Sequence, residues 1–119
     1  MNVADDLLFG VHAAALELRS RRMGMIASNI ANASTPGFKA KDIDFRAALA
    51  QANGPQGLTD ASVASATKFR VPLQASLDGN TVELASEQTA FAENAVAYQT
   101  TLSFLNGRIG QITRALRGE

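Results

Sequence analysis

The strongest pattern along the chain is an apolar rhythm in its last third. Leu84, Gln88, Phe91, Ala95, Tyr98, Leu102, Leu105, Ile109, Ile112 and Leu116 follow one another at alternating steps of four and three, and only Gln88 is plainly polar. That spacing draws one stripe down a helix and predicts knobs-into-holes packing against another helix. Asn80 followed by Glu83 has the spacing of a capping box, which would satisfy free amides of the first turn. Arg108, Arg114 and Arg117 set positive charge against the dipole at the far end, and Gly118 supplies a stop. The predicted helix covers about 82–117.

The N-terminal third repeats the rhythm through Ala4, Leu8, Val11, Ala15, Leu18, Arg22, Met25, Asn29 and Asn32, while Leu7, Ala14, Ile26, Ile30 and Ala33 widen the stripe to one side. Asp5 and Asp6 stand in the first turn, where acids are favoured. A helix over about 4–33 results, and each helix would be on the order of 45 Å long at the usual rise per residue. That length is too great for a globule of 119 residues. The predicted fold is therefore all-α, a single elongated domain over residues 1–119, its long N- and C-terminal helices paired as an antiparallel coiled coil.

Residues 34–81 break the rhythm and predict an irregular middle with a short helix or an edge strand. "STPGF" is a turn, Pro36 fixing its own backbone and Gly37 free to take positive φ. "DIDFRAALAQA" predicts a short helix capped by Asp42 or Asp44. "NGPQGLTDASVASAT" has the composition of a mobile loop, and "KFRVPLQASL" alternates Phe69, Val71 and Leu73 but is limited by Pro72 to an edge strand or extended segment. "SLDGNT" is a second turn. The middle has too few large apolar groups for a core of its own, and two helices alone cannot cover all their apolar faces. Further copies or partners, with ordering on assembly, are expected to do so.

Composition narrows the chemistry. Eleven Lys and Arg balance 11 Asp and Glu, which argues against nucleic acid as the main partner. The one dense basic run, Arg19, Arg21 and Arg22, spreads around a helix and reads as a solvated or interface face. With no cysteine, disulfides, thiolate metal sites and thiol nucleophiles are excluded. His12 is alone, Asp42 and Asp44 read as solvated loop acids, and no glycine run follows a strand in a phosphate-cradling pattern. No catalytic residue, metal site or cofactor is expected. No apolar run of membrane-spanning length occurs, so no membrane insertion is expected. The opening "MNVADDLLFG" places acids where a secretory signal carries lysines, so export would need a route without a cleaved signal.

"ASNIANASTPGFKAKDIDF" resembles the N-terminal signature of the bacterial flagellar axial proteins, the rod and hook subunits, and "RVPLQASLDGNTVEL", "FAENAVAYQTTLSFLNGRI" and the terminal "RGE" resemble its proximal-rod members. The resemblance covers nearly the whole chain except about residues 50–67; family members often carry Asp where Ser34 stands and Tyr where Phe38 stands. It implies a structural subunit of the proximal rod in the flagellar basal body, transmitting torque. It also implies paired terminal helices lining an axial tube and a motif after the first helix, Pro36, Gly37 and Phe38 included, that touches neighbouring subunits. The implied partners are other copies, other rod proteins, the rod-to-MS-ring adaptor and the flagellar type III export gate. A Phe-x-x-x-apolar gate-recognition pattern fits Phe45 to Leu49 and also Phe69 to Leu73; Phe45 is favoured because it lies in the N-terminal, loop-prone part. A sister proximal rod protein and a helical secreted adaptor are the alternatives.

Within this frame Asn29 and Asn32 act as amides on a helical seam, fixing register and holding the Ser34–Gly37 turn. They are expected near Gln88 and Phe91, with Arg22 paired to Glu93 within or between subunits. The candidate interface comprises Leu8, Val11, Leu18, Arg22, Met25, Asn29 and Asn32 on the first helix. On the second it comprises Phe91, Glu93, Tyr98, Leu102, Leu105, Ile109 and Ile112.

Overall fold

The computed structural model describes residues 3–118, with side chains from Phe9 onward, so Leu8 and the other stripe positions before Phe9 lie outside the described side chains. The two apolar rhythms become two long helices, α1 (Val3–Ala31) and α4 (Leu84–Arg117). At about 1.5 Å per residue they are roughly 43 and 51 Å long, which accounts for an elongated molecule of 64 × 28 × 18 Å. Gly118 ends α4 in the left-handed conformation, its N–H returning to the carbonyls of Ala115 and Arg114. No helix among the described residues is long and apolar enough to cross a membrane.

The helices lie side by side. Asn94 Nδ2 donates to the Arg19 carbonyl at 2.8 Å, the rings of His12 and Phe104 sit 4.3 Å apart, and Phe9 lines a shallow pocket with Ile109 and Ile112. Contact positions therefore fall along α1 as they rise along α4. The buried line of α4 runs through Glu87, Asn94 and Leu105. In the first half of the helix it lies one position ahead of the expected apolar stripe, burying Glu87 rather than Gln88 and Asn94 rather than Ala95. Leu84 and Phe91 are exposed as a result, and farther along Ile109 and Leu116 are exposed as well. The expected capping box is also absent. Glu83 is the N-cap and makes no side-chain cap bond, because Asn80 is engaged elsewhere.

Between the helices lies a small ordered module: β1 (Lys41–Ile43), α2 (Phe45–Ala52), α3 (Asp60–Ala66) and β2 (Thr67–Phe69). β1 and β2 pair antiparallel, Lys41 opposite Phe69 and Ile43 opposite Thr67. β2 stops short of Pro72, which has no N–H to offer a ladder. Of the two candidate caps for α2, Asp44 serves, accepting from Ala47 N–H. The segment expected to be a mobile loop instead carries α3. Thr59 and Ser62 form a reciprocal capping box, and Val63 and Ala66 face inward.

The module shares its core with α1, in keeping with its few large apolar groups. Ile43, Ala48, Val63 and Ala66 close on Leu18 of α1, with Met25, Phe45, Leu49 and Leu58 packed around them. Small residues suffice because α1 donates the largest buried group. Full burial of a leucine contributes about 1.5–3 kcal/mol, and Leu18 is fully buried.

A candidate assembly site where the module meets both helices

Arg22 and Asn29 stand seven residues apart on α1, and Glu87 and Asn94 stand seven apart on α4, so each pair shares one helix face. Between them the chain inserts β1. Asn29, only 1% exposed, donates from Nδ2 to the Lys41 carbonyl at 2.8 Å and accepts at Oδ1 from Lys41 N–H at 3.2 Å. Its amide thus pairs with both backbone groups of one strand residue, as a neighbouring peptide would. The same Nδ2 donates to Glu87 Oε2 at 3.1 Å. One side chain therefore joins α1, the module and α4.

Charge completes the junction. Arg22 forks onto Asp42, Nε to Oδ1 at 2.8 Å and Nη2 to Oδ2 at 3.0 Å, while Asp42 Oδ1 also accepts from Ile43 N–H. Arg70 follows β2 and brings its guanidinium 2.9 Å from Asp42 Oδ2 and 2.6 Å from Glu87 Oε1. Both are close charge contacts outside hydrogen-bond alignment. Two arginines and two carboxylates leave the cluster neutral, the condition under which a fully buried Glu87 is tolerated. The hydrogen bonds to Asp42 hold the Arg22 guanidinium above its ordinary range, against the opposing effect of burial. Arg19 is shifted the other way, chiefly by burial and then by Arg22; it lies 4.3 Å over the Phe45 ring.

The second half of the junction joins two turns. Gly37 and Gly79 both have positive φ, 74° and 76°, and the turns they make lie against each other. Gly37 N–H donates to the Asp78 carbonyl, Thr81 N–H donates to the Phe38 carbonyl, and Lys39 Nζ donates to the Gly79 carbonyl. Asn80 sits at their centre. Its Nδ2 donates to the carbonyls of Asn32, Ala33 and Thr35 at 2.8–3.1 Å, and its Oδ1 accepts from Val82 N–H. The orphan carbonyls after α1 are thereby satisfied from residues far along the chain. Ser76 and then Asn80 N–H hold the Asp78 carboxyl below the usual range.

These contacts correct several expectations. Within the chain Arg22 pairs with Asp42 rather than Glu93, because β1 lays Asp42 in fork geometry across α1 while Glu93 faces solvent. Asn29 meets Glu87 and Lys41 rather than Gln88 or Phe91. Asn32 lies just past the end of α1, donating to the Ser28 carbonyl and accepting from Thr35 Oγ1, so it does hold the turn.

Leu18 and Leu105 are buried; Val11, Met25, Phe38, Tyr98, Leu102 and Ile112 are half-buried. Pro36, Gly37, Glu93 and Ile109 are exposed, and Phe91 lies at a rim. Phe45 and Leu49 pack against the module core. Sequence reasoning missed Asp42, Arg70, Asn80, Glu87 and Asn94 as members of the junction. The seven-residue spacing of Glu87 and Asn94, with small Ala90 and Ala97 three residues after each, is the signal that would have found two of them.

Residues 9–39 match the family model described as "Flagella basal body rod protein". Over 92% of its length the chain is 50% identical to the flagellar basal body rod protein FlgB of Cereibacter sphaeroides, 94% of which is covered. It is 42% identical to FlgB of Aeromonas hydrophila over 100% of this chain and 99% of that one. Against FlgB of Escherichia coli K12 the identity is 38%, over 87% and 88% of the two chains.

Proposed function

The chain belongs to the flagellar basal body rod protein FlgB family, and from that premise we propose how its geometry serves the rod. It is a structural protein of the basal body and not an enzyme. In this reading α1 and α4 form an antiparallel coiled coil within the proximal rod. Copies assemble with one another and with other rod proteins, and the assembly transmits torque. At its base the rod meets the adaptor to the MS ring and the type III export gate, through which subunits pass without a cleaved signal. Val11, Tyr98, Leu102 and Ile112, only half-buried in one chain, are completed by neighbours, as are Phe91 and Ile109.

One observation carries the reading: the module is tied to both helices, by directional bonds from Asn29 to Lys41 and Glu87 and from Arg22 to Asp42, and by close charge contacts from Arg70 to Asp42 and Glu87. A subunit that passes torque must turn as one body, and charged, hydrogen-bonded contacts resist sliding where apolar contact alone permits it. Electron microscopy of basal bodies from a strain lacking this gene tests the proposal. Rings without a rod, restored by the intact gene, are expected; a complete rod and hook in that strain would overturn it.

Phe45 and Leu49 are our candidate export segment. Because both pack against the module core, recognition requires that core to open. Phe45→Ala is expected to reduce secretion of the chain; normal secretion with poor assembly would make Phe45 a packing residue only.

A further inference from the structure

We propose that the loop of residues 71–77 of one copy docks into the cleft between α1 and α4 of a second copy. The inference rests on the reading that copies of this chain assemble. The loop is anchored at both ends on one residue: Arg70 N–H donates to the Ala40 carbonyl, and Ala40 N–H donates to Thr81 Oγ1. What lies between projects outward, with Val71 and Leu73 88% and 87% exposed and Leu77 wholly exposed, continuing from Phe69 at 64%. Such side chains together present on the order of 500 Å² of apolar surface, a large share of the ~800 Å² per partner that a stable interface buries. Residues 71–77 carry no charge. Pro72 holds its own backbone and Val71 extended, so little conformational freedom remains to be lost on docking.

The receiving surface is the cleft lined by Met23, Gly24, Ala27, Phe91, Ala95 and Tyr98, with no charged residue in its lining. Glycine and alanines leave the space, and two aromatic rings wall it. That is the chemistry suited to a proline-containing extended segment. A Cβ on Gly24 would meet nothing within 4 Å, so the gap is not one the chain fills itself. The Ala40 anchors, with the bond from Leu73 N–H to Glu83 Oε1 at 2.5 Å, hold the loop at the start of its own α4. Loop and cleft are different surfaces, so the contact is head-to-tail and propagates from copy to copy instead of closing a symmetric pair. That is the interface a growing rod requires.

The test uses the full chain in a strain from which the gene has been removed. The natural sequence has no cysteine, so Leu73→Cys combined with Gly24→Cys leaves only the two thiols of interest. On oxidation of isolated basal bodies the double variant is expected to give a ladder of multimers of this chain, and each single variant none. Absence of the ladder, or attachment of Leu73→Cys to a different rod protein, overturns the proposal. Gly24→Leu fills the cleft while replacing glycine by a better helix former. It is expected to reduce completed rods at least about tenfold, with the circular dichroism of the purified chain retained. Leu73→Lys is expected to do the same from the loop side. If gene removal leaves a complete rod, the rod reading itself fails. If removal abolishes the rod and both variants restore it fully, docking alone fails.

Discussion

The two ends of the helix pair are held by different means. Near the module, α1 and α4 meet through Asn29, Glu87, Asn94 and the Arg19 carbonyl, all buried or half-buried and all directional. Away from it they meet through Leu105, His12 against Phe104, and Phe9 beside Ile112. Apolar contact there is so shallow that Ile109 and Leu116 stay exposed. Burying apolar area favours association in any register that covers the area, whereas a buried amide or carboxylate is satisfied in one register only. The polar end therefore specifies which residues face each other, and the apolar end leaves Ile109 and Leu116 uncovered.

The largest expected effect comes from breaking the polar end at its most buried charge. Glu87→Ala leaves Arg70 without its closest carboxylate and is predicted to cost about 3–5 kcal/mol in urea unfolding of the purified chain. Replacing both, Arg70→Met with Glu87→Leu, is predicted to recover most of that stability. The register of the helices would then loosen, seen as a spread of distances between probes on α1 and α4. A double variant with one sharp distance would show that specification resides elsewhere. At the apolar end, Leu105→Ala is predicted to cost about 2–5 kcal/mol in the same measurement while the distance distribution stays sharp. A broadened distribution would erase the contrast between the ends.

Two smaller effects sharpen the comparison within the junction. Asn80→Ala removes a donor from three carbonyls after α1 and is predicted to cost about 1–3 kcal/mol. Amide exchange should quicken in residues 33–38 and 78–82 and stay unchanged around Leu105. Uniform exchange changes along both helices would refute a local role. The smallest effect is in pH. The Ala47 N–H holds the Asp44 carboxyl below its usual range. The unfolded chain therefore binds its proton first, and the stabilisation from this cap is present above the ordinary carboxylate range, near 3.9, and lost as pH falls through the lowered value. Helix α2 is expected to fray on acidification in the natural chain but not in Asp44→Asn, whose amide cap does not titrate, while above that range the charged cap is the stronger because it also meets the helix dipole. Identical acid profiles would remove Asp44 from the account.

Local chemistry sufficed for much of the fold. The lengths of α1 and α4, the stop at Gly118, the two glycine turns, an aspartate cap for α2 at Asp42 or Asp44 and the limit that Pro72 sets on β2 all follow from periodicity, caps and backbone restriction acting within a few residues. Asn29 could be singled out because an amide on an apolar stripe is anomalous without reference to any partner. Three other features were decided by residues distant in the chain. Asn80 has the spacing of a helix cap, yet three carbonyls more than 40 positions earlier claim its amide. Residues 60–66 read as a loop by composition, yet Leu18 gives Val63 and Ala66 a core to join. The buried face of α4 is turned toward Glu87 and Asn94 because partners wait for them on α1 and the module, and Phe91 and Leu84 face outward as the consequence. Hydrophobic periodicity measures what a side chain loses in water. It carries no information about which polar groups will find a partner, and that is settled only when the chain closes on itself.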